Sequence, residues 1–334
     1  MHSLSANIAV FVNPSTKTPH FRGQTGKNGN LSTKNAKSVD GWGKMTIFVN
    51  MKRIIVIVAL MTAAVAAAAQ GRIVTESIHS DKLDTDQKYN VYLPEGYNSA
   101  NHYPVIYLLH GLSDDYTAWD NLGRVSWVAD ELIRSGELRP VVIVMPNAGN
   151  ADIHNYQNGY FNMPAWPYED YFFKEFVPAV EGKFNCGGSK GARAVMGLSM
   201  GGGGSVVYCQ RHPDMFSSCY AMSPWLDNKG NEVSDGEHRQ TKFTFTQRAV
   251  RMHSAVDFLD NADEATLERL RTVKWFVDCG DDDFIFDLST EFYAKMRQKG
   301  VKAEFRVRDG VHNWEYWHIS LRTALPFASR NFSL

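Results

Sequence analysis

Residues 194–204 read Ala-Val-Met-Gly-Leu-Ser-Met-Gly-Gly-Gly-Gly. The stretch contains Gly197-Leu198-Ser199-Met200-Gly201, a G-x-S-x-G pattern entered from a short apolar run. That combination predicts a buried strand at 194–198 turning sharply into a helix that reaches about Arg211. The glycines have a steric reason. A nucleophile on a sharp strand-to-helix turn is strained, and backbone passes close beside it only where Cβ is missing. Gly201 to Gly204 then open the helix, at up to ~1 kcal/mol per Gly relative to Ala. Tolerating that cost points to close helix–strand packing or to the approach of a substrate. Without its strand and helix the pattern would be only a Gly-rich turn; with them, Ser199 is a candidate nucleophile.

Outward from this point the chain keeps alternating. Apolar runs at 105–109 and 141–145 read as central strands buried on both faces. Residues 72–79 and 87–93 alternate apolar and polar, and are expected to pair antiparallel across a short turn. Further strands are expected at 216–222, 274–279 and 303–307, with helices at 127–135, 169–184 and from 314 to about 328. One more helix, opened by Asp287 or Ser289, should end at Gly300 as a left-handed C-cap. Strands alternating with helices predict a mostly parallel sheet covered by helices. Two stretches break the alternation: the aromatic, Asn-rich 150–168 and the long insertion 223–272. Inside the second, Asn261-Ala262-Asp263-Glu264 has the form of a capping box opening a helix. Insertions of this length in a compact domain commonly form lids or substrate walls.

A serine hydroxyl becomes a nucleophile when a base takes its proton, and the base needs an acid to orient it. On a strand–turn–helix nucleophile the chain order is serine, then Asp or Glu, then His. Of eleven histidines, only His312 and His318 lie C-terminal to an acid-bearing strand end. His312 follows Asp309-Gly310-Val311 on a loop before the last helix; His318 falls inside that helix and reads as a packing residue. The acid belongs just beyond a strand, and Gly280-Asp281-Asp282-Asp283 follows 274–279. The residues alone leave three aspartates open. The oxyanion donors should be backbone N–H groups. Tyr107-Leu108-Leu109-His110-Gly111-Leu112 ends a central strand in a His-Gly turn, so Leu112 N–H and Met200 N–H form the expected pair. The His110 side chain is read as shaping the loop, not as the base.

Six stretches fall in order across residues 88–317: Val91-Tyr92-Leu93-Pro94, Tyr103-Pro104-Val105 with Leu108-Leu109-His110-Gly111, Val144-Met145-Pro146-Asn147, Gly197 to Gly202, Cys279-Gly280-x-x-Asp283-Phe284 and His312-x-Trp314. In these the sequence resembles an esterase branch of the α/β-hydrolases. The branch holds esterase D (S-formylglutathione hydrolase), tributyrin esterases, bacterial feruloyl and acetyl xylan esterases, and the mycolyltransferases. The resemblance implies an α/β-hydrolase fold, a mostly parallel central sheet flanked by helices, with a lid-like insertion around 223–272. It selects Asp283 over its neighbours and places the oxyanion donors on Leu112 and Met200. It implies a serine carboxylic-ester hydrolase working through an acyl-enzyme on Ser199, with His312 as base. The four glycines after Met200 and the length of 223–272 depart from the family's pattern, in the region that commonly shapes the acyl or sugar pocket.

Composition sets the outer bounds. The chain has 334 residues, 44% hydrophobic and 21% charged, which excludes global disorder. Its 35 basic and 36 acidic side chains nearly cancel, which argues against a nucleic-acid scaffold. Four cysteines without a CxxC pair exclude a zinc ribbon or a thioredoxin-type site. Cys209 and Cys219 fall on elements expected to be buried and read as free core thiols. No HExxH, P-loop or G-x-G-x-x-G occurs, and Asp281 to Asp283 lack the alternate spacing of a calcium loop, so no metal or cofactor is expected.

Residues 1–50 carry one acid, Asp40, and no apolar period; they are expected to be unstructured. Met51-Lys52-Arg53 then precede an apolar run, 54–69, broken only by Thr62 and ending Ala67-Ala68-Ala69. A basic start, a short apolar run and a small-residue end make 51–69 a signal peptide. The run is short of the ~20 residues that cross a bilayer, so no stable membrane anchor is expected. Its position leads to the expectation that Met51 is the true start and that 1–50 is an over-extended reading frame. Removing the first 69 of 334 residues leaves 265, one exported α/β domain at 70–334, periplasmic or secreted.

Aromatic residues in loops near the C-terminal edge of the sheet supply the candidate substrate contacts: Trp225 first, then Trp314, Trp119 and Tyr168. Core or lid packing is the alternative for each, as for Trp166. An exported esterase with aromatic loops fits deacylation of feruloylated or acetylated plant polysaccharide or its oligosaccharides. Formylglutathione, a cytosolic substrate, fits less well. A short-chain (tributyrin-type) esterase, an acyltransferase or a peptidase would share the triad. A non-catalytic carbohydrate-binding envelope protein would not need Ser, Asp and His in this order.

Overall fold

The computed structural model describes residues 70–149, 159–230 and 242–333. The segments expected to be unstructured (1–50) and a signal peptide (51–69) lie outside them. No helix among the described residues is long and apolar enough to cross a membrane.

The run 194–198 does form a central strand. β7 (Arg193–Leu198) is buried on both faces and sits in the middle of an eight-stranded sheet. The others are β1 (Arg72–Ser80), β2 (Thr85–Leu93), β3 (Val105–Leu109), β4 (Val142–Pro146), β8 (Ser218–Met222), β9 (Lys274–Gly280) and β10 (Ala303–Arg308). The order is β1-β2-β4-β3-β7-β8-β9-β10. β1 and β2 pair antiparallel from Arg72↔Leu93 to Ser80↔Thr85, and β2 runs antiparallel to β4; every other pairing is parallel. A two-residue ribbon, β5 (Asn162–Met163) with β6 (Trp166–Pro167), stands apart. Buried strands with period-2 side chains need cover on both faces. Val105, Tyr107 and Leu109 of β3 enter one core cluster, and Ile106 and Leu108 enter the other.

The covering helices are α1 (Ala118–Asn121), α2 (Val125–Ser135), α3 (Tyr168–Tyr171), α4 (Val177–Phe184), α5 (Ser199–Arg211), α6 (Lys242–Met252), α7 (Ala255–Asn261), α8 (Glu264–Leu270), α9 (Phe286–Gln298) and α10 (Trp314–Asn331). The single helix expected at 169–184 is α3 and α4 joined through a π-helical stretch, Phe172–Phe176. Pro178 explains the widened turn: it has no N–H to give, and its ring would press on the preceding turn of a regular helix. The capping box expected from Asn261 is displaced. Asn261 ends α7, and Asp263 caps α8 by accepting from Thr266 N–H at 2.8 Å.

Packing explains the run of glycines that opens α5. A Cβ on Gly201 would lie 2.5 Å from the Leu109 carbonyl oxygen, and one on Gly203 would lie 2.1 Å from that of Trp225. The helix therefore seats directly against the backbone at the ends of β3 and β8. This sets Ser199 between the loops that follow those strands.

Candidate active site

Ser199 sits at the C-terminal end of β7 with φ of 50°, the left-handed region that side chains rarely adopt. The strain is held by the close crossing of Gly201 over β3, and it lifts the hydroxyl above the sheet edge. His312, on the loop between β10 and α10, brings Nε2 to 2.9 Å from Ser199 Oγ. Its Nδ1 lies 2.9 and 3.0 Å from the two carboxylate oxygens of Asp283. The serine, imidazole and carboxylate thus form one continuous hydrogen-bonded line. Asn313 fixes the loop's exit by accepting Tyr316 N–H as the N-cap of α10.

The three aspartates after β9 separate cleanly. Asp281 and Asp282 are exposed, and Asp281 accepts Gly310 N–H at 3.0 Å. Asp283 is buried, and Ile285 N–H donates to it at 3.1 Å. Burial by itself would raise the Asp283 pKa. The nearby donors His312, the Ser223 hydroxyl and Ile285 N–H outweigh it, holding the carboxyl below its ordinary range and therefore charged.

The His110-Gly111-Leu112 loop, expected to supply an oxyanion donor, lies beside Ser199. A Cβ on Gly111 would stand 3.8 Å from Ser199 Cβ, and Leu112 and Ser199 line the same cleft. Met200 is in the first turn of α5, where N–H groups have no intrahelical partner. The His110 side chain is structural, as expected. Its Nδ1 lies 2.8 Å from the Gly111 carbonyl, and Nε2 accepts Ala148 N–H at 2.9 Å, which assigns the neutral Nδ1–H tautomer. Burial lowers its pKa, consistent with that neutral state. Tyr160 accepts His110 N–H at 2.8 Å and donates to His110 O at 3.1 Å, so the loop is clamped. His318 packs: its Nδ1 is 2.8 Å from the Gly123 carbonyl.

Beside Ser199 opens a cleft of about 550 Å³. Among the described residues, Leu112, Trp225, Phe284, Ile285 and Leu288 give it apolar surface, and Asp227, Asn228, Lys229, Gln247 and Asp287 give it polar groups. The insertion 223–272 therefore does build a wall, through Trp225 to Lys229 and through Gln247 on α6. Of the aromatic contacts expected, only Trp225 lines this cleft. Trp119 is 1% exposed and donates its indole N–H to the Leu109 carbonyl. Tyr168 is fully buried and donates to the Asn147 carbonyl. Both are core residues, since a ring that can satisfy its polar atom inside packs there. Trp314 is half-buried, edge-on to Trp119 at 5.2 Å and to Trp317 at 5.5 Å. It packs against those two rings and does not line the cleft. The sequence reading missed Phe284. Its ring is 81% exposed and lies 4.6 Å from the His312 ring, and its position next to the acid was the available signal.

All four cysteines are buried and free, in line with the core-thiol reading.

A strained serine at the end of a central parallel strand, with histidine and aspartate delivered by later loops, defines a serine hydrolase of the α/β-hydrolase fold. Residues 80–328 match the family described as "Putative esterase", and the chain belongs to that esterase family. It is a serine carboxylic-ester hydrolase. A solved ferulic acid esterase is 45% identical, with a TM-score of 0.75 over 79% of this chain and 99% of its own. An endo-1,4-beta-xylanase/feruloyl esterase of Xylanibacter ruminicola is 32% identical over 151 residues, 44% of this chain. The chain spans only 20% of that relative's length. S-formylglutathione hydrolase from Staphylococcus aureus, 22% identical with a TM-score of 0.62 over 78% of this chain and 99% of its own, shares the fold.

Proposed function

We propose that Ser199, His312 and Asp283 are the catalytic triad of an esterase that releases feruloyl or related aromatic acyl groups from plant polysaccharide or its oligosaccharides. The unbroken line from Ser199 Oγ through His312 to Asp283 carries the mechanistic part of the reading. His312 Nε2 takes the hydroxyl proton as Oγ bonds to the ester carbonyl carbon, and Asp283 holds the imidazolium. Leu112 and Met200 N–H groups face the oxyanion. Collapse breaks the bond to the alcohol, which leaves with the proton from His312. Water, deprotonated by the same imidazole, then cleaves the acyl-enzyme and restores Ser199.

The likeness to a ferulic acid esterase along that protein's full length supports the aromatic acyl group. So does a cleft that sets the Trp225 and Phe284 rings beside polar groups able to meet ring hydroxyls. The expected result is that methyl ferulate is turned over with a higher kcat/KM than tributyrin or acetylated xylan. Trp225→Ala should lower kcat/KM for methyl ferulate roughly 10- to 100-fold while changing p-nitrophenyl acetate less than about threefold. Equal losses on both esters, or a preference for tributyrin, would contradict the aromatic assignment.

The same proposal includes export, with 51–69 removed as a signal peptide; the basic start and the apolar run ending in alanines support it. N-terminal sequencing of protein recovered from the periplasm or medium should begin near Gln70. A peptide from residues 1–40 in that material would contradict it.

A further inference from the structure

Two serines on adjacent strands share an uncommon backbone. Ser199 follows β7 with φ of 50°, and Ser223 follows β8 with φ of 43°. Two residues beyond Ser223, Trp225 N–H donates to the Ser199 carbonyl at 2.9 Å. Ser199 has a chemical reason for its strain. Ser223 sits before Pro224, where sterics favour extended backbone, so its left-handed φ is held against two preferences. Strain of this kind persists only where the surroundings enforce it, and it concentrates at functional sites. Here Ser223 N–H donates to the Asp278 carbonyl of β9 at 2.7 Å, extending the sheet by one bond.

The side chain is fully buried. Trp317 donates its indole N–H to Ser223 Oγ at 3.1 Å, and the Trp317 ring meets the His312 ring edge-on at 4.9 Å. An indole N–H can only donate, so the serine oxygen is the acceptor in that bond, and the hydroxyl proton is left for another partner. Two groups stand within reach, the Asp283 carboxylate and the Cys279 thiol. Burial pushes Cys279 up to about 12, so it stays a neutral thiol and a weak acceptor. The carboxylate is charged, and it is the stronger acceptor of the two.

We propose that Ser223 is a positioning residue of this esterase: its hydroxyl accepts from Trp317, donates to Asp283, and so fixes the carboxylate against His312. The inference rests on the triad reading above. Asp283 is then held from three sides, by Ser223, Ile285 N–H and His312, and cannot turn away as the imidazole charges. The sequence hides this residue, because Ser-Pro after a strand looks like an ordinary extended dipeptide.

Ser223→Gly separates the hydroxyl from the backbone, since glycine adopts the same φ without strain. The variant should fold with an unchanged or higher Tm, and kcat on p-nitrophenyl acetate should fall roughly tenfold or more with KM within about twofold. A carboxylate free to swing stabilises the imidazolium less, so the acid limb of the kcat/KM profile should move to lower pH. Trp317→Phe, which leaves the hydroxyl undirected, should shift kcat and the profile the same way by a smaller factor, and it tests the chain independently. Wild-type kcat and an unmoved acid limb in folded Ser223→Gly or Trp317→Phe overturn the proposal. Failure of the triad itself would show separately, as retained activity in Ser199→Ala.

Discussion

Ser199→Ala is expected to lower kcat on methyl ferulate and on p-nitrophenyl acetate by at least about 10⁴-fold, to the residual rate that oxyanion donors and binding alone sustain. The size follows from the geometry. Among the described residues no other hydroxyl is hydrogen-bonded to His312 Nε2, which lies 2.9 Å from Ser199 Oγ, and without that oxygen the proposed acyl-enzyme cannot form. KM should change little, because the cleft walls are untouched. The variant should fold: alanine keeps the Cβ already accommodated at φ of 50°, and the crossing of Gly201 over β3 is unaffected. Near-UV circular dichroism and Tm check the fold, and initial rates check the chemistry. Turnover close to wild type in a folded variant would remove Ser199 from the mechanism.

Asp283→Asn should cost roughly 10⁴-fold in kcat with the fold retained, since a neutral amide can present N–H to Nδ1 and favour the wrong imidazole tautomer. Asp282→Asn, on the exposed neighbour, should stay within about twofold, as surface substitutions away from a network generally do. The contrast matters because the residues alone left these acids equivalent. The stability consequence has a definite sign. Hydrogen bonds hold the Asp283 pKa below its unfolded value, so its stabilising contribution is present above the unfolded pKa and is lost as pH falls through the folded one. Wild type should therefore lose its Tm advantage over Asp283→Asn below about pH 4, the ordinary carboxylate range. Equal loss of activity in both variants, or in neither, would contradict the assignment of the acid.

Much of this was legible in the residues. The nucleophile turn, the buried strand segments and the choice of His312 over His318 follow from local pattern, because strand burial and glycine placement are written in adjacent positions. Asp283 was not separable from Asp281 and Asp282 by physics alone. Which of three consecutive side chains turns inward depends on the loop path after Gly280, and that path is set by its contacts with Gly310. The resemblance to known esterases supplied what the pattern could not. Trp119 and Tyr168 looked like pocket residues because loop aromatics carry no periodicity to mark burial; their partners, the Leu109 and Asn147 carbonyls, exist only after folding. Phe284 and Ser223 escaped notice for the same reason, since each gains its role from a neighbour distant in sequence.

The proposed mechanism passes through a covalent intermediate on Ser199, oriented by His312 and Asp283. An aryl fluorophosphonate tests it most directly, because it captures a serine only where that serine is activated and its oxyanion site is formed. Incubation should abolish esterase activity in proportion to label incorporated, and peptide mass spectrometry should place a single adduct on the peptide containing Gly197 to Gly204. Ser199→Ala and His312→Ala should take up no label. An adduct on another residue, or full activity in fully labelled protein, would contradict the account.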